Sequence, residues 1–316
     1  MATLGLADAV LYLLRASVLI TIGILIGSII TETGIAGRLR FLSRPISRLS
    51  GLSSPSSLSL VAMVANPTAG KSMLAGFYRE GQIRREEVVP TLLMGTFPTV
   101  LGETLFRVHF PTAVVLLGPV IGGLYTLFNL FSTLIQTAGA IIWLRFVVGS
   151  SEGGITDETN PAERIRIDRP TVRAGVMKAI PHLKRIIPVS VVATTVFFLL
   201  YAAGVVEAIA LVFSPLLGLI GLPGESITAI VAQAMHFSAG YAVVGTMVTG
   251  GILTLEQALV TLIVGSMMVI TMIYLKYSLP LYLSLFGVEG TGIAIKTYCA
   301  SMGAKVLTIM VVIAVF

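Results

Sequence analysis

The sequence is poor in charged residues and has a single cysteine. Only 11% of its 316 residues are charged and 55% are hydrophobic, and its mean hydropathy is +0.96. A soluble globular domain carries charge on about 25% of its residues, so the composition excludes that class. The lone Cys299 excludes an internal disulfide and a metal centre built from cysteines.

Catalytic patterns are also missing. The sequence has no zinc-ligand spacing of the metalloprotease type and no serine-protease residue set. Residues 65–72, Ala-Asn-Pro-Thr-Ala-Gly-Lys-Ser, resemble a phosphate-binding loop. Such a loop needs a preceding parallel strand, a soluble α/β domain and an acidic metal ligand, and the sequence indicates none of them. We therefore expect no enzymatic activity, no cofactor and no metal site.

Long apolar runs make up most of the chain. Several exceed the roughly 20 residues that cross a bilayer as a helix, and none alternates like a strand of an outer-membrane barrel. The basic residues behind the net charge of +6 collect in loops between these runs, which is typical of cytoplasmic loops rather than of a nucleic-acid surface. The composition predicts an all-α polytopic protein of the cell membrane, with a first span at residues 7–31.

The apolar run at residues 61–76 is interrupted in its middle. Pro67 has no amide hydrogen and restrains Asn66, while Gly70 tolerates positive φ, so a continuous helix is unfavourable here. Irregular backbone survives in a membrane only where protein buries it or where it lines a cavity. The break therefore predicts a solute site on a discontinuous helix.

The second half of the chain aligns with the first after a shift of 170 residues, which becomes 169 from Pro111 onward. Glycines, prolines, an arginine and a glutamate coincide, and such residues rarely coincide by chance in so apolar a chain. The coinciding pairs include Arg15 with Arg185, Pro45 with Pro215, Gly51 with Gly221, Gly70 with Gly240, Gly81 with Gly251, Glu86 with Glu256, Gly95 with Gly265, Pro111 with Pro280 and Gly118 with Gly287.

The basic loops of the first half have no basic counterparts in the second. Because positive loops face the cytoplasm, matching loops are predicted to lie on opposite faces, which makes the two repeats inverted. Both flanks of the Asn66 segment are basic, so this segment enters and leaves on the same side as a re-entrant hairpin. The unmatched basic residues are Arg38, Arg40, Arg44, Arg48, Arg79, Arg84 and Arg85.

These patterns together predict two inverted-topology repeats. Each repeat has three transmembrane crossings and one re-entrant helical hairpin made of discontinuous helices. The first repeat covers residues 1–148 and the second covers residues 176–316. Residues 149–175 form a cytoplasmic linker, and the amino terminus lies outside. The second hairpin, at about residues 226–250, re-enters from the outside.

The two hairpin tips carry the candidate chemistry. Amides near Thr68 and the charge of Lys71 suit an anionic or carbonyl group, although Lys71 could instead snorkel or pair with Glu103. At the position matching Asn66, His236 either carries a proton during transport or holds hydrogen bonds that fix the hairpin. The predicted solute-binding residues are Asn66, Thr68, Gly70, Lys71, Thr96, Glu103, His236, Ser238, Gly240 and Tyr241.

Other ionisable groups lie within the apolar runs. Such groups are costly in a bilayer, so Glu103, Glu289 and Lys296 are candidates for function. Pairing of Glu289 with Lys296 along one helix would explain both residues without a solute. Polar residues also occur on the last helix of each half, at Asn129 and Gln136 and at Lys305.

The first tip, Asn66-Pro67-x-Ala69-Gly70, and its echo at residues 236–245 resemble the Gate or nucleoside-recognition domain family. Bacterial ferrous-iron permeases of the FeoB type, concentrative nucleoside transporters and sporulation membrane proteins share that domain. The resemblance implies a prokaryotic membrane transporter or pore with its solute site at the hairpin tips. The iron permeases also have a GTPase domain and a cysteine at the first gate. This sequence has neither, which argues against ferrous iron.

The sequence thus favours a membrane transporter that moves a small polar or anionic solute through a site between two re-entrant hairpin tips. The alternative is a non-transporting scaffold or a subunit of a larger membrane complex, in which the tips serve only for packing. The sequence leaves open the solute, a coupling ion and the formation of a homo-oligomer.

Overall fold

The computed structural model describes residues 51–65, 67–106, 109–148, 168–203 and 217–316, together with single positions at 14, 18, 21, 25, 46, 49 and 50. The predicted first span, the basic segment after it, Asn66 and most of the linker at 149–175 lie outside these ranges. Every regular element within the ranges is a helix.

Eleven α-helices are described, and we number them α1 to α11. A turn of π-helix follows α5 at Leu144–Val148 and another follows α9 at Tyr274–Ser278. The helices are α1 Ser54–Ala65, α2 Pro67–Arg79, α3 Arg85–Met94, α4 Thr96–Phe106, α5 His109–Trp143, α6 Arg169–Ala202, α7 Ser226–Met235, α8 Phe237–Thr249, α9 Leu255–Ile273, α10 Leu279–Phe286 and α11 Glu289–Val315.

Four helical stretches in the described ranges are long and apolar enough to cross a membrane. They are Arg85–Leu105, which joins α3 and α4, then His109–Phe146, Leu255–Ile273 and Glu289–Val315. This all-helical architecture agrees with the predicted class of polytopic membrane protein. The helix α6 begins at Arg169, inside the segment that the sequence predicts as linker.

Positive φ angles in the described ranges occur only at glycine, because a Cβ disfavours that conformation. Six such glycines fall into three pairs at the predicted shift, and we call positions related by this shift matched positions. Two pairs lie in turns and the third interrupts the last helix of each half. The pairs are Gly51 (68°) with Gly221 (72°), Gly81 (71°) with Gly251 (70°), and Gly118 (82°) with Gly287 (63°).

Two helix pairs are closely packed through matched glycines. In the first helix pair, α1 and α2, a Cβ added at Gly70 would lie 2.3 Å from the backbone nitrogen of Met63. In the second helix pair, α7 and α8, a Cβ added at Gly240 would lie 2.3 Å from the Cβ of Gln233. Only glycine allows the helices to approach this closely.

The two halves are interlocked in the core. Tyr282, Phe286 and Ile293 from α10 and α11 pack into the hydrophobic cluster around α2 and α3. In the other direction, α5 packs into the cluster formed by α7, α8 and α9, for example through Leu117 and Tyr125. Each helix pair therefore completes its core with the returning helix of the other half.

Matched residues anchor the base of each helix pair. Glu87 is 1% exposed, and its carboxylate accepts hydrogen bonds from the hydroxyls of Ser53 (2.6 Å) and Ser56 (3.0 Å). Its second oxygen pairs with Arg84 at 3.0 Å. At the matched position, the amide of Gln257 caps α9 and donates to the carbonyl oxygen of Gly221 at 3.1 Å.

Candidate solute site

A cavity of about 420 Å³ lies between the two halves. Every described helix except α6 contributes to its wall. The volume falls within the range of about 300–1,000 Å³ that is typical of small-molecule sites.

Matched positions line this cavity in pairs. The chemistry of the two members differs in most pairs, although both members line the cavity. The pairs on the wall include Met63 with Gln233, Pro67 with Phe237, Lys71 with Tyr241, Thr96 with Ser266, and Gln136 with Lys305.

One wall of the cavity is a row of polar side chains between α5 and α11. Ser301 donates a hydrogen bond to the Oε1 of Gln136 at 3.2 Å, and the Nζ of Lys305 donates to the Oδ1 of Asn129 at 2.6 Å. Thr297, Ser301 and Lys305 follow a spacing of four residues, so they share one face of α11. All three are buried, and Lys305 is only 2% exposed.

The first helix pair brings a lysine and a carboxylate to the cavity. The ammonium group of Lys71 lies 5.5 Å from the ring centroid of Tyr282, within cation–π range. Glu103 also lines the wall and is near enough for its charge to attract Lys71. Glu103 is the one carboxylate among the described lining residues.

The second helix pair brings aromatic and amide groups. The rings of Tyr125 and Tyr241 meet edge to face at 5.4 Å. Phe237 lies between two histidine rings, 4.4 Å from His109 and 4.6 Å from His236. Gln233 is 2% exposed; its Nε2 donates to the carbonyl of Leu262 at 3.1 Å, and its Oε1 is buried without a hydrogen-bond donor.

His236 separates α7 from α8. Its backbone is extended, with φ −159° and ψ 134°. Its Nδ1 accepts from the backbone amide of Ser238 at 3.3 Å and lies 2.8 Å from the hydroxyl of that residue. The imidazole therefore caps the first turn of α8, which favours the structural alternative over a proton carrier.

The structure brings four of the predicted site residues to the cavity: Lys71, Thr96, Glu103 and Tyr241. Gly70 and Gly240 lie instead at the helix contacts. The predicted residue Thr68 is exposed, and Ser238 is fully buried beside His236. Asn66 lies outside the described residues.

The list predicted from sequence left out several lining residues. The sequence contains a signal for the residues on α11, where three polar residues at a spacing of four occur in an apolar helix. Polar residues also occur within the apolar sequence of α5. The lining residues that were not predicted include Tyr125, Asn129, Gln136, Gln233, Ser266, Thr297, Ser301 and Lys305.

Glu289 pairs with the first half rather than with Lys296. Its carboxylate accepts a hydrogen bond from the hydroxyl of Tyr78 at 2.6 Å and lies 3.3 Å from the guanidinium of Arg85. The hydrogen bond raises the pKa of the Tyr78 phenol above its ordinary value. Lys296 is exposed on α11, outside the cavity.

Within the described ranges, no three His, Cys, Asp or Glu side chains cluster closely enough to hold a metal ion.

Comparison of the sequence with known proteins finds one matching domain family and several related proteins. The family model described as "Gate: Nucleoside recognition" matches residues 183–289. Uncharacterized protein MJ0880 of the archaeon Methanocaldococcus jannaschii is 37% identical over 309 residues, which cover 98% of this chain and 100% of the relative. Uncharacterized protein MJ0871 of the same organism is 29% identical over 88% of this chain and 86% of its own length. No solved structure matches.

Proposed function

The chain belongs to the Gate (nucleoside recognition) domain family, and from this premise we propose that it is a membrane transporter. Its cargo is a small polar or anionic solute, which binds in the cavity between the two helix pairs. The observation that carries the proposal is the lining of one cavity by matched positions from both halves. Transporters built from internal repeats place their solute sites at the interface between the repeats.

The proposed architecture is two inverted repeats, at residues 1–148 and 176–316. Each helix pair is a re-entrant hairpin, the first entering from the cytoplasm and the second from outside. The paired glycines and paired cavity positions support the duplication, and the unmatched arginines support the inversion. In this topology the linker is cytoplasmic and the amino terminus is external.

The proposed site combines residues predicted from sequence with residues found in the structure. Lys71, Glu103 and Tyr241 contact the solute. Gly70, Gly240, His236 and Ser238 position the hairpins rather than contact the solute, while Thr68 lies at the first turn of α2. Polar groups inside a membrane protein are expensive to bury, so their concentration in one cavity favours a solute pathway.

Solute uptake tests this function. A thermal-shift screen with uridine, glutamate, glucose 6-phosphate and Mn²⁺ identifies a stabilising class, and the radiolabelled compound is then offered to vesicles that contain the protein. We expect Lys71→Met and Tyr241→Phe each to lower uptake at least about tenfold, a loss of roughly 1.4 kcal/mol. The control Met310→Leu alters an exposed position on α11 and should leave uptake unchanged.

Unchanged uptake in both cavity variants would argue against transport through this cavity. Absence of uptake together with a stoichiometric partner that co-purifies would favour the scaffold alternative.

Orientation has its own test, in a chain with Cys299→Ser. Single cysteines at the matched positions Arg84 and Thr254 should react with a membrane-impermeant reagent from opposite sides of sealed vesicles. Labelling from the same side would refute the inversion.

A further inference from the structure

The two lysines on the cavity wall have different electrostatic surroundings. Within the described ranges Glu103 attracts Lys71, whereas Lys305 forms no ion pair with a carboxylate. The partner of Lys305 is the neutral amide oxygen of Asn129. Lys305 is also the more deeply buried of the two, at 2% exposure.

A buried ammonium group without a counter-charge is costly. One amide oxygen satisfies one of its three N–H donors and none of its charge. The cost can be met in two ways: the lysine loses its proton, or an anion enters the cavity.

The surroundings of Lys305 suit an anion. Gln136 on α5 also lines the cavity, and its Nε2 can donate to a bound anion, whereas the hydroxyls of Thr133 and Ser301 donate to carbonyl oxygens within the protein. Carboxylate and phosphate oxygens accept several such hydrogen bonds at once.

We propose that Lys305 is the anion-binding group of the cavity, and that the solute is an organic anion whose carboxylate or phosphate binds there. This inference rests on the proposed function and narrows its solute class.

Thermal unfolding of the detergent-solubilised full chain tests the anion site without knowledge of the solute. Sodium phosphate and sodium acetate are titrated separately at constant ionic strength, so that the two arms distinguish a phosphate from a carboxylate. We expect at least one anion to give a saturable rise of about 2 to 4 °C in the unfolding temperature. The variant Lys305→Met should lose this rise, and Lys296→Met, an exposed lysine on the same helix, should keep it.

A second variant supplies the missing counter-charge from within the protein. Asn129→Asp places a carboxylate against Lys305, so it should remove the response to added anions and raise the unfolding temperature measured without them. If Lys305→Met does not fold, the proposal is tested with Asn129→Asp alone.

Three results would overturn the proposal. They are the absence of saturable stabilisation by either anion, an equal response in wild type and Asn129→Asp, and a neutral amine at Lys305 in ¹⁵N-lysine NMR at neutral pH. Failure of the transport proposal is distinguishable from these. Anion binding that depends on Lys305 without any vesicle uptake refutes transport alone, whereas uptake of uridine that is unaffected by Lys305→Met refutes the anion site alone.

Discussion

The two helix pairs share a scaffold and differ in chemistry. Each is held together by a glycine seven residues after the residue that it contacts, Gly70 on Met63 and Gly240 on Gln233. The residue that contacts the glycine is a thioether, Met63, in the first helix pair and an amide, Gln233, in the second. Lys71 and Tyr241 follow Asn66 and His236 by five residues, and these two matched positions both line the cavity. The comparison teaches that the glycines allow the close approach within each helix pair, while the cavity-lining side chains differ between the two pairs.

The largest expected effect comes from the shared glycines. Gly70→Ala places a methyl group against the backbone of Met63, and Gly240→Ala places one against Gln233, so each should destabilise the protein by about 3 kcal/mol or more. Gly76→Ala is the control on α2, because its Cβ would meet nothing within 4 Å. Yields of monodisperse protein and unfolding temperatures measure the difference. Equal behaviour of Gly70→Ala and Gly76→Ala would contradict the close-packing account.

The next largest effect is expected from exchanging the side chains at the matched positions 63 and 233, which contact the glycines. Met63→Gln buries an amide between Gly70 and Gly95 and should cost about 2 kcal/mol. The reverse change, Gln233→Met, removes a buried oxygen that has no donor together with the hydrogen bond from Nε2 to the carbonyl of Leu262. These two effects oppose each other, so stability should stay within about 1 kcal/mol of wild type. Chemical unfolding of both variants measures the asymmetry. Similar losses in the two would show that Oε1 is satisfied in solution.

A smaller effect is expected at the bases of the two helix pairs. Glu87→Gln weakens the acceptor of two serine hydroxyls and removes the partner of Arg84, so it should cost about 1 to 2 kcal/mol. Gln257→Glu loses the donor to Gly221 and should cost about 1 kcal/mol. Thermal unfolding ranks the two variants. A larger loss of stability in Gln257→Glu than in Glu87→Gln would show that Gln257 is the more important of the two anchors.

The smallest effect is expected at the contact between the halves near Glu289. Arg85→Met removes an ion pair whose side chains are 71% and 37% exposed, so the expected loss is below about 0.5 kcal/mol. Tyr78→Phe removes the hydrogen bond to the same carboxylate and should cost about 1 kcal/mol. A double-mutant cycle compares them. Strong coupling, above about 1 kcal/mol, would show that the ion pair is shielded from water in the membrane protein.

The local features of the fold could be predicted from the sequence because their causes are local. Pro67 is the first residue of α2, a position that suits its fixed φ and missing amide hydrogen. The glycines that carry positive φ were visible as pairs in the sequence alone. The start of α6 at Arg169 was not predicted, because a polar helix end has the same composition as a linker.

The site was only partly predictable because its contacts join distant segments. Lys71 and Tyr241 lie beside the breaks, so sequence reasoning found them. The contact of Lys305 with Asn129 spans 176 residues, and no local pattern states which polar residue faces which. Glu289 shows the same limit, since a lysine on its own helix was a plausible partner until the packing of α11 on α3 was known.

The interlocked core has a consequence for how the protein is made. When α2 and α3 leave the ribosome, the residues that complete their cluster, Tyr282 to Ala294, have yet to be synthesised. The hydrophobic cluster of the first half therefore lacks these packing partners while about 200 further residues are translated. During that time the first half must stay in the insertion machinery or in the lipid. Truncated chains that end before α10 should be degraded by membrane proteases. The two halves produced as separate polypeptides should accumulate when they are co-expressed and be degraded when either is expressed alone.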